Sequence, residues 1–277
     1  MSDAVNTESN VPIFGRKIFF VAPPVNVHPY VTGKLRENEY EVYVIPEYRF
    51  AKSVLRNNPD SIVFFNIDDS SLGLKAWFNF IKSFQEDDVL KTCKLGVLSS
   101  RSRSKDKEKF LVENNLSAGY IKTAVGNTEL LDSIKEMLNL NMAKGKRQYV
   151  RANTGNDPSA QVVCEKDGQM LTMQLLDISS VGFACKLDSS YNSLFVKNSL
   201  LKNFTLRMGT KQVTSTALIF TIKEGSEFST LVLLFVPALL MPQGKKAIQD
   251  YCAETLEKTT FANGDVEDTE DYEHLYD

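Results

Sequence analysis

The stretch SIVFFNIDDSSLGLKAWFNFIKSFQ, residues 61–85, decides the fold of the first half of this chain. Its first seven residues form a mostly apolar run, which is typical of a strand that is buried on both faces of a sheet. Residues 74–85 have the amphipathic spacing of a helix, and the polar residues between the two runs indicate a turn. A buried strand followed by a helix is the repeating unit of a parallel sheet.

The same unit recurs on both sides of this segment. Further strands are expected at residues 17–23, 41–46, 94–100 and 118–123, and further helices at residues 28–38, 48–58, 105–115 and 127–140. Five strand–helix units predict a doubly wound parallel sheet with helices on both faces. We therefore expect an α/β domain over residues 15–140, after a polar and disordered segment at residues 1–14.

The second half of the chain changes to the pattern of an all-β domain. QVVCEK at 161–166 and QMLTMQLLDIS at 169–179 flank an Asp-Gly pair, which predicts a hairpin. Further short strands are expected at residues 182–187, 199–209, 211–225 and 227–236, followed by a helix over 242–258. This pattern predicts an antiparallel β-barrel with a C-terminal helix over residues 159–257. Residues 141–158 are expected to form a basic linker, and residues 258–277 an acidic, disordered tail.

Composition excludes several classes of function. The 277 residues are 43% hydrophobic and carry a net charge of −3, so no overall charge attracts nucleic acid. The four cysteines are scattered and the two histidines lie far apart, which argues against a disulfide framework or a metal site. No acid–base or nucleophile–base set, signal peptide or membrane-spanning run is recognisable. We therefore expect a cytoplasmic protein without enzymatic activity, metal or cofactor.

Two short patterns predict a ligand site. Arg147 and Arg151 lie four residues apart in the linker, and guanidinium groups bind phosphate or guanine edges in a planar, bidentate geometry. The segment DISSVG at 177–182 adds Asp177, whose carboxylate accepts hydrogen bonds from the N–H groups of a guanine edge, and the hydroxyl of Ser179. Gly182 allows the backbone to approach a ligand closely or to adopt a positive φ at the turn. These groups predict a clamp for a ligand that carries phosphates and purine edges.

The order R-x-x-x-R and then D-x-S-x-x-G resembles the signature of PilZ domains, which bind cyclic di-GMP. The resemblance covers about residues 144–257 and is complete at all five motif positions. It implies that cyclic di-GMP is bound by a set of motif residues, with a lysine beside them as an additional contact: Arg147, Arg151, Asp177, Ser179, Gly182 and Lys146. It also implies a bacterial receptor in second-messenger signal transduction, in which ligand capture at the linker changes the arrangement of the domains and the binding of a protein partner. Motility or other signalling machinery would supply that partner.

The first domain resembles the flavodoxin-like receiver domain of response regulators. That family binds magnesium with carboxylates after its first strand and accepts phosphate on an aspartate at the end of its third strand. Here the first strand ends in Ala22-Pro23-Pro24 and the third-strand position falls on Asn66, although Ser99 or Ser100 and Lys122 match supporting groups. Because carboxylates are the usual magnesium ligands, we expect a receiver-like scaffold that has lost phosphoryl transfer.

Alternatives remain open at both domains. Asp68, Asp69 and Ser70 are expected to form a turn and to cap the following helix, but Asp68 or Asp69 could accept phosphate if the loop is shifted. The alternative to a ligand site is that the arginines are surface residues and that DISSVG forms a turn between strands. The alternative functions are a protein–protein adaptor that binds no nucleotide and a regulator controlled by phosphorylation.

Overall fold

The computed structural model describes residues 13–101, 104–262, 264 and 266–274, and it divides into two units. Unit 1 comprises the described residues up to Gln148 together with those from Thr260 onward, and unit 2 comprises Tyr149–Thr259. The chain therefore leaves unit 1 within the predicted linker and returns to it near the end of the last helix. Residues 1–12 of the segment that was expected to be disordered lie outside the described residues.

Unit 1 contains five strands that alternate with five α-helices. The strands are β1 (Ile18–Val21), β2 (Val42–Ile45), β3 (Ile62–Asn66), β4 (Lys94–Ser99) and β5 (Tyr120–Lys122). The helices are α1 (Tyr30–Glu37), α2 (Ala51–Arg56), α3 (Leu74–Ser83), α4 (Ser104–Glu113) and α5 (Asn127–Leu140). The strands are parallel in the order β2-β1-β3-β4-β5, which confirms the predicted doubly wound sheet.

The centre of this sheet explains why its strands are continuous apolar runs. Every residue of β1 and β3 is buried. Phe20 stacks on Phe64 with ring centroids 5.3 Å apart, while the next residue, Phe65, points to the opposite face and packs against Phe80 and Phe84 of α3 and its C-terminal end. Because adjacent strand residues face opposite sides, a sheet covered on both sides requires apolar residues at both positions.

Unit 2 is an antiparallel barrel. Its elements are β6 (Arg151–Asn153), β7 (Gln161–Lys166), β8 (Gln169–Ser179), β9 (Gly182–Asp188), β10 (Leu200–Met208), β11 (Lys211–Lys223), β12 (Phe228–Phe235) and α6 (Pro242–Phe261). Six strands close in the order β7-β10-β11-β12-β9-β8, and β6 pairs with β8 beyond the end of β7. Helix α6 contributes Ile248, Tyr251 and Cys252 to the barrel core. The predicted barrel with a C-terminal helix is therefore confirmed.

The first part of the predicted linker is held by hydrogen bonds to the start of unit 1. The amide of Arg16 donates to the carbonyl of Ala143 at 2.9 Å, and the amide of Arg147 donates to the carbonyl of Ile13 at 3.0 Å. A Cβ on Gly145 would lie 2.4 Å from the carbonyl carbon of Phe14. Gly145 therefore permits two backbone segments to pack closely.

The acidic tail differs from its prediction. Helix α6 continues to Phe261, and residues 266–274 lie against unit 1, where Tyr272 is 1% exposed. The expectation of a disordered tail at residues 258–277 is wrong for these described residues. Composition predicts disorder when a segment has too little apolar surface and too much charge. Here the charge is compensated by Arg49 and Lys52, and one tyrosine supplies the buried surface.

Candidate functional site

Strand pairing in unit 2 brings part of the two predicted patterns together. Strands β6 and β8 are antiparallel, with Arg151 opposite Ser179 and Asn153 opposite Asp177. The guanidinium of Arg151 lies 3.3 Å from a carboxylate oxygen of Asp177, and the two side chains are 45% and 30% exposed. An ion pair this exposed contributes at most about 1 kcal/mol, so it holds neither side chain strongly.

A β-bulge sets the direction of Asp177. The pairing of β8 with β9 shifts between Leu175 and Asp177, which leaves Leu176 as an extra residue. Without the shift, Asp177 would share the inward face with Leu175 because side chains alternate along a strand. After the shift it is Ile178 that is fully buried in the barrel core, and Asp177 keeps its contact with solvent.

Ser179 is buried in the turn between β8 and β9. Its hydroxyl donates to the carbonyl of Gly182 at 3.1 Å, and its exposed fraction is 1%. The hydrogen bond closes the turn through Ser180 and Val181. In this arrangement Ser179 shapes the turn that follows Asp177, and its hydroxyl is not directed to solvent as the clamp interpretation assumed.

Gly182 has a role in strand pairing, and of its two predicted roles the structure excludes the positive φ. Its φ is not positive. A Cβ at this position would lie 2.3 Å from the carbonyl oxygen of Leu233 on β12, so only glycine allows β9 and β12 to pair here. The expectation of a positive φ is wrong, because Ser180 and Val181 make the turn and Gly182 already belongs to the strand.

Arg147 belongs to unit 1 and is exposed. Its guanidinium carbon lies 4.7 Å from the centroid of the Phe14 ring, which is 62% exposed. The preceding residue, Lys146, is also exposed. Sequence reasoning missed Phe14 because it placed residues 1–14 in a disordered segment, although an aromatic residue in a polar stretch was a signal for such a contact.

The carboxyl edge of the parallel sheet holds the residues that were compared with receiver domains. Asp68 accepts hydrogen bonds from the hydroxyls of Ser99 at 2.9 Å and Ser100 at 2.7 Å, and Arg101 lies 3.1 Å away. Burial opposes ionisation of Asp68, but the hydrogen bonds from Ser100 and Ser99 and the charge of Arg101 outweigh it and lower its pKa. Asn66 is buried and donates to the carbonyl of Ala22 at 2.8 Å.

Asp69 forms the predicted turn after β3 but does not cap helix α3. The carboxylate of Asp69 accepts the amide of Ser71 at 3.0 Å, as in an Asx turn. Helix α3 is preceded by Gly73 and has no side-chain cap, so the predicted capping by these aspartates is wrong. Lys122 is exposed at the end of β5, opposite Ser99 in the register. Among the residues that the structure describes, no group of three or more histidine, cysteine, aspartate or glutamate side chains could hold a metal ion.

Comparisons with known proteins give matches among solved structures only. No protein-family model matches the chain, and no curated protein matches it. The PilZ domain with c-di-GMP of YcgR from Escherichia coli is 18% identical over 43% of this chain and 97% of that domain, with a TM-score of 0.37. The Bacillus subtilis inhibitor of motility MotI/DgrA is 22% identical over 39% of this chain, with a TM-score of 0.32, and the match covers 50% of its own length. The chemotaxis response regulator CheY4 of Vibrio cholerae is 16% identical over 45% of this chain and 99% of its own, with a TM-score of 0.37.

In the part of the chain that the structure describes, no helix is both long enough and apolar enough to cross a membrane.

Proposed function

We propose that this chain is a cyclic di-GMP receptor that acts in signalling. The observation that carries the proposal is the contact in unit 2 between one residue of each motif: Arg151 and Asp177 are separated by 26 positions along the chain yet lie 3.3 Å apart. In this pair, Arg151 would be a bidentate phosphate donor beside Asp177, an acceptor for guanine N–H groups.

The chemistry of ligand capture follows from this pair. The guanidinium of Arg151 would donate to a phosphate oxygen or to guanine O6 and N7, and the carboxylate of Asp177 would accept from the N–H groups of the same base. The ligand would replace one exposed ion pair with two sets of charge-assisted hydrogen bonds. Ser179 and Gly182 would support this site indirectly, because they hold the turn and the strand pairing on which Asp177 depends.

Arg147 would supply the second guanidinium. The guanidinium of Arg147 lies over the Phe14 ring, and a cation–π contact of this kind uses none of its N–H donors, which would serve a phosphate. Lys146 would add positive charge beside it. The boundary between the two units falls between Gln148 and Tyr149, so a ligand that both arginines hold would link the units. It would act as a switch if its affinity differs between two arrangements of the units, one of which favours a protein partner from motility or other signalling machinery.

Calorimetric titration of three arginine variants tests the proposal. We expect the wild type to bind cyclic di-GMP with a Kd of roughly 1–10 μM. Arg147→Ala and Arg151→Ala should each weaken binding by about 10–100-fold, because a hydrogen bond to a charged group contributes about 1.5–3 kcal/mol. Arg207→Ala is the matched control, since Arg207 is an exposed arginine on β10 of the same unit as Arg151. Binding that is unchanged in both motif variants would overturn the site assignment.

The linking step needs a separate measurement. Small-angle X-ray scattering with and without saturating ligand should show a change in the radius of gyration for the wild type, and none for Arg147→Ala at a concentration that still saturates it. Tight binding without any change in scattering would support the receptor function and would contradict the proposed change in domain arrangement. Absence of binding by the wild type would favour the adaptor that binds no nucleotide.

A further inference from the structure

The acidic tail is anchored on unit 1 by one aromatic side chain. Tyr272 is 1% exposed, and its ring meets the ring of Phe80 edge to face at 5.1 Å. Its hydroxyl accepts a hydrogen bond from the ammonium of Lys52 and donates to the carboxylate of Asp268. Its backbone carbonyl accepts from the side-chain amide of Asn79 at 2.7 Å. The ring, the hydroxyl and the backbone carbonyl of Tyr272 therefore each make a specific contact.

Ion pairs flank this anchor. The ammonium of Lys52 lies 3.4 Å from Asp268 and 3.1 Å from Glu270, although the lysine side chain is only 9% exposed. On the N-terminal side of the anchor, Arg49 lies 3.2 Å from Glu267. We call the part of unit 1 that holds the tail the Lys52 surface, and it comprises Arg49, Lys52, Gly73, Asn79 and Phe80. A nearly buried ammonium is costly unless carboxylates accompany it, so this surface requires an acidic occupant whenever it is covered.

The contact has the make-up of a bound peptide. Residues 266–274 form neither helix nor strand, and Tyr272 is the one buried residue among them. The tail backbone is held at few points, such as the amide of Asp268, which donates to the carbonyl of Arg49 at 2.8 Å. Apart from Asp268, whose side chain is 12% exposed, the carboxylates of the tail are exposed, including Glu273, which accepts the amide of Gly73 at 3.2 Å. In peptide recognition, a few anchor residues carry most of the binding energy and the charged neighbours add specificity, and the tail has this division of roles.

We propose that the Lys52 surface is a docking site for an acidic, tyrosine-anchored segment of a partner protein, and that the chain's own tail occupies this site until the partner displaces it. The spacing Asp268-x-Glu270-x-Tyr272 defines the chemistry of the segment: two carboxylates, four and two residues before a tyrosine, in a segment that forms neither helix nor strand. Because the tail is tethered, its effective concentration at the site is on the order of millimolar, so a partner must compete with it. The tail therefore acts as an autoinhibitory occupant. This inference is independent of the proposed nucleotide binding.

A peptide supplied in trans tests the proposal. The probe is a fluorescein-labelled peptide with the sequence of residues 266–274, titrated by fluorescence anisotropy with full-length protein. Tyr272→Ala removes the anchor of the tail, and the double variant Asp268→Lys with Glu270→Lys repels the tail from Lys52 while leaving Tyr272 in place. Both should bind the peptide at least about tenfold more tightly than the wild type, whose own tail competes.

Specificity controls decide whether the site is the Lys52 surface. Adding Lys52→Gln to either variant, or replacing the tyrosine of the peptide with alanine, should abolish binding. Equal binding of the peptide to wild type and variants, or no binding to either variant, would overturn the proposal. Thermal unfolding is followed in parallel. Loss of a cooperative transition in both variants would show that the tail is a fixed part of unit 1 and would also overturn it.

Discussion

Replacement of Gly182 by alanine should destabilise unit 2 through backbone contact alone. The added Cβ would lie 2.3 Å from the carbonyl oxygen of Leu233, whereas ordinary van der Waals contact begins at 3.4 Å. Strands β9 and β12 would have to separate locally by about 1 Å, because the obstructing atom belongs to a paired strand and cannot rotate away. Overpacking of this kind costs about 1–3 kcal/mol, and weakening of one or two adjacent strand hydrogen bonds adds about 1 kcal/mol.

The assay for this prediction is urea denaturation of wild type, Gly182→Ala and Gly155→Ala. We expect Gly182→Ala to lower the free energy of unfolding of unit 2 by about 2–4 kcal/mol. Gly155→Ala is the matched control in the same unit, because its Cβ would meet only the Asn153 side chain at 3.4 Å, and its effect should stay within about 0.5 kcal/mol. If Gly182→Ala is as stable as Gly155→Ala but loses cyclic di-GMP binding, the glycine serves ligand approach and the structural account is refuted.

Two further variants test other contacts. Phe14→Ala should weaken cyclic di-GMP binding by roughly two- to fivefold in calorimetry, since an exposed cation–π contact contributes about 0.5–1 kcal/mol to holding Arg147. Val25→Ala is the control, because Val25 is exposed, and it should leave binding unchanged. Equal affinities of the two variants would contradict the role of Phe14. Asp68 has a lowered pKa in the folded state, so its stabilising contribution is present above its ordinary pKa and is lost as the pH falls through the folded value. Asp68→Asn should therefore be less stable than wild type in urea denaturation at pH 7, and the difference should shrink steadily below about pH 4; a difference independent of pH would contradict the assigned hydrogen bonds and ion pair.

The alternation of elements in unit 1 was predictable because the two kinds of element differ in sequence pattern. Buried parallel strands are short continuous apolar runs, whereas amphipathic helices have apolar residues every three to four positions. The limits show in α3, where adjacent Trp77 and Phe78 suggest that one of them faces solvent. Both are buried. Trp77 packs with Tyr48, and Phe78 packs on Phe110 of α4 at 5.4 Å, so the helix is covered on two sides. The second covering element is distant in the chain, and helical periodicity carries no information about it.

The candidate site was only partly predictable. The residue types in R-x-x-x-R and D-x-S-x-x-G indicate phosphate and guanine chemistry, and strand pairing brings Arg151 to Asp177. The role of Gly182 depends on Leu233, and that of Arg147 on Phe14, and neither contact follows from local spacing. Such contacts depend on strand register and on long-range pairing, which a motif does not specify.

The order of the acidic tail could not be predicted from its composition. Its charge favours a solvated segment when it is considered alone. Its partners lie about two hundred positions earlier, since Lys52 and Glu270 are 218 residues apart. The composition of the tail indicates only the conformational entropy that is lost when the tail becomes ordered. The contacts that offset this loss are made by residues in another part of the chain.

The most direct test of the central claim is a pair of calorimetric titrations of the wild type, one with cyclic di-GMP and one with cyclic di-AMP. Both ligands carry two phosphates, but adenine lacks the N1–H and 2-amino donors that Asp177 would accept. Our account predicts binding of cyclic di-GMP with a Kd of roughly 1–10 μM and binding of cyclic di-AMP that is at least about 100-fold weaker. Absence of binding to cyclic di-GMP, or equal affinity for both ligands, would contradict it.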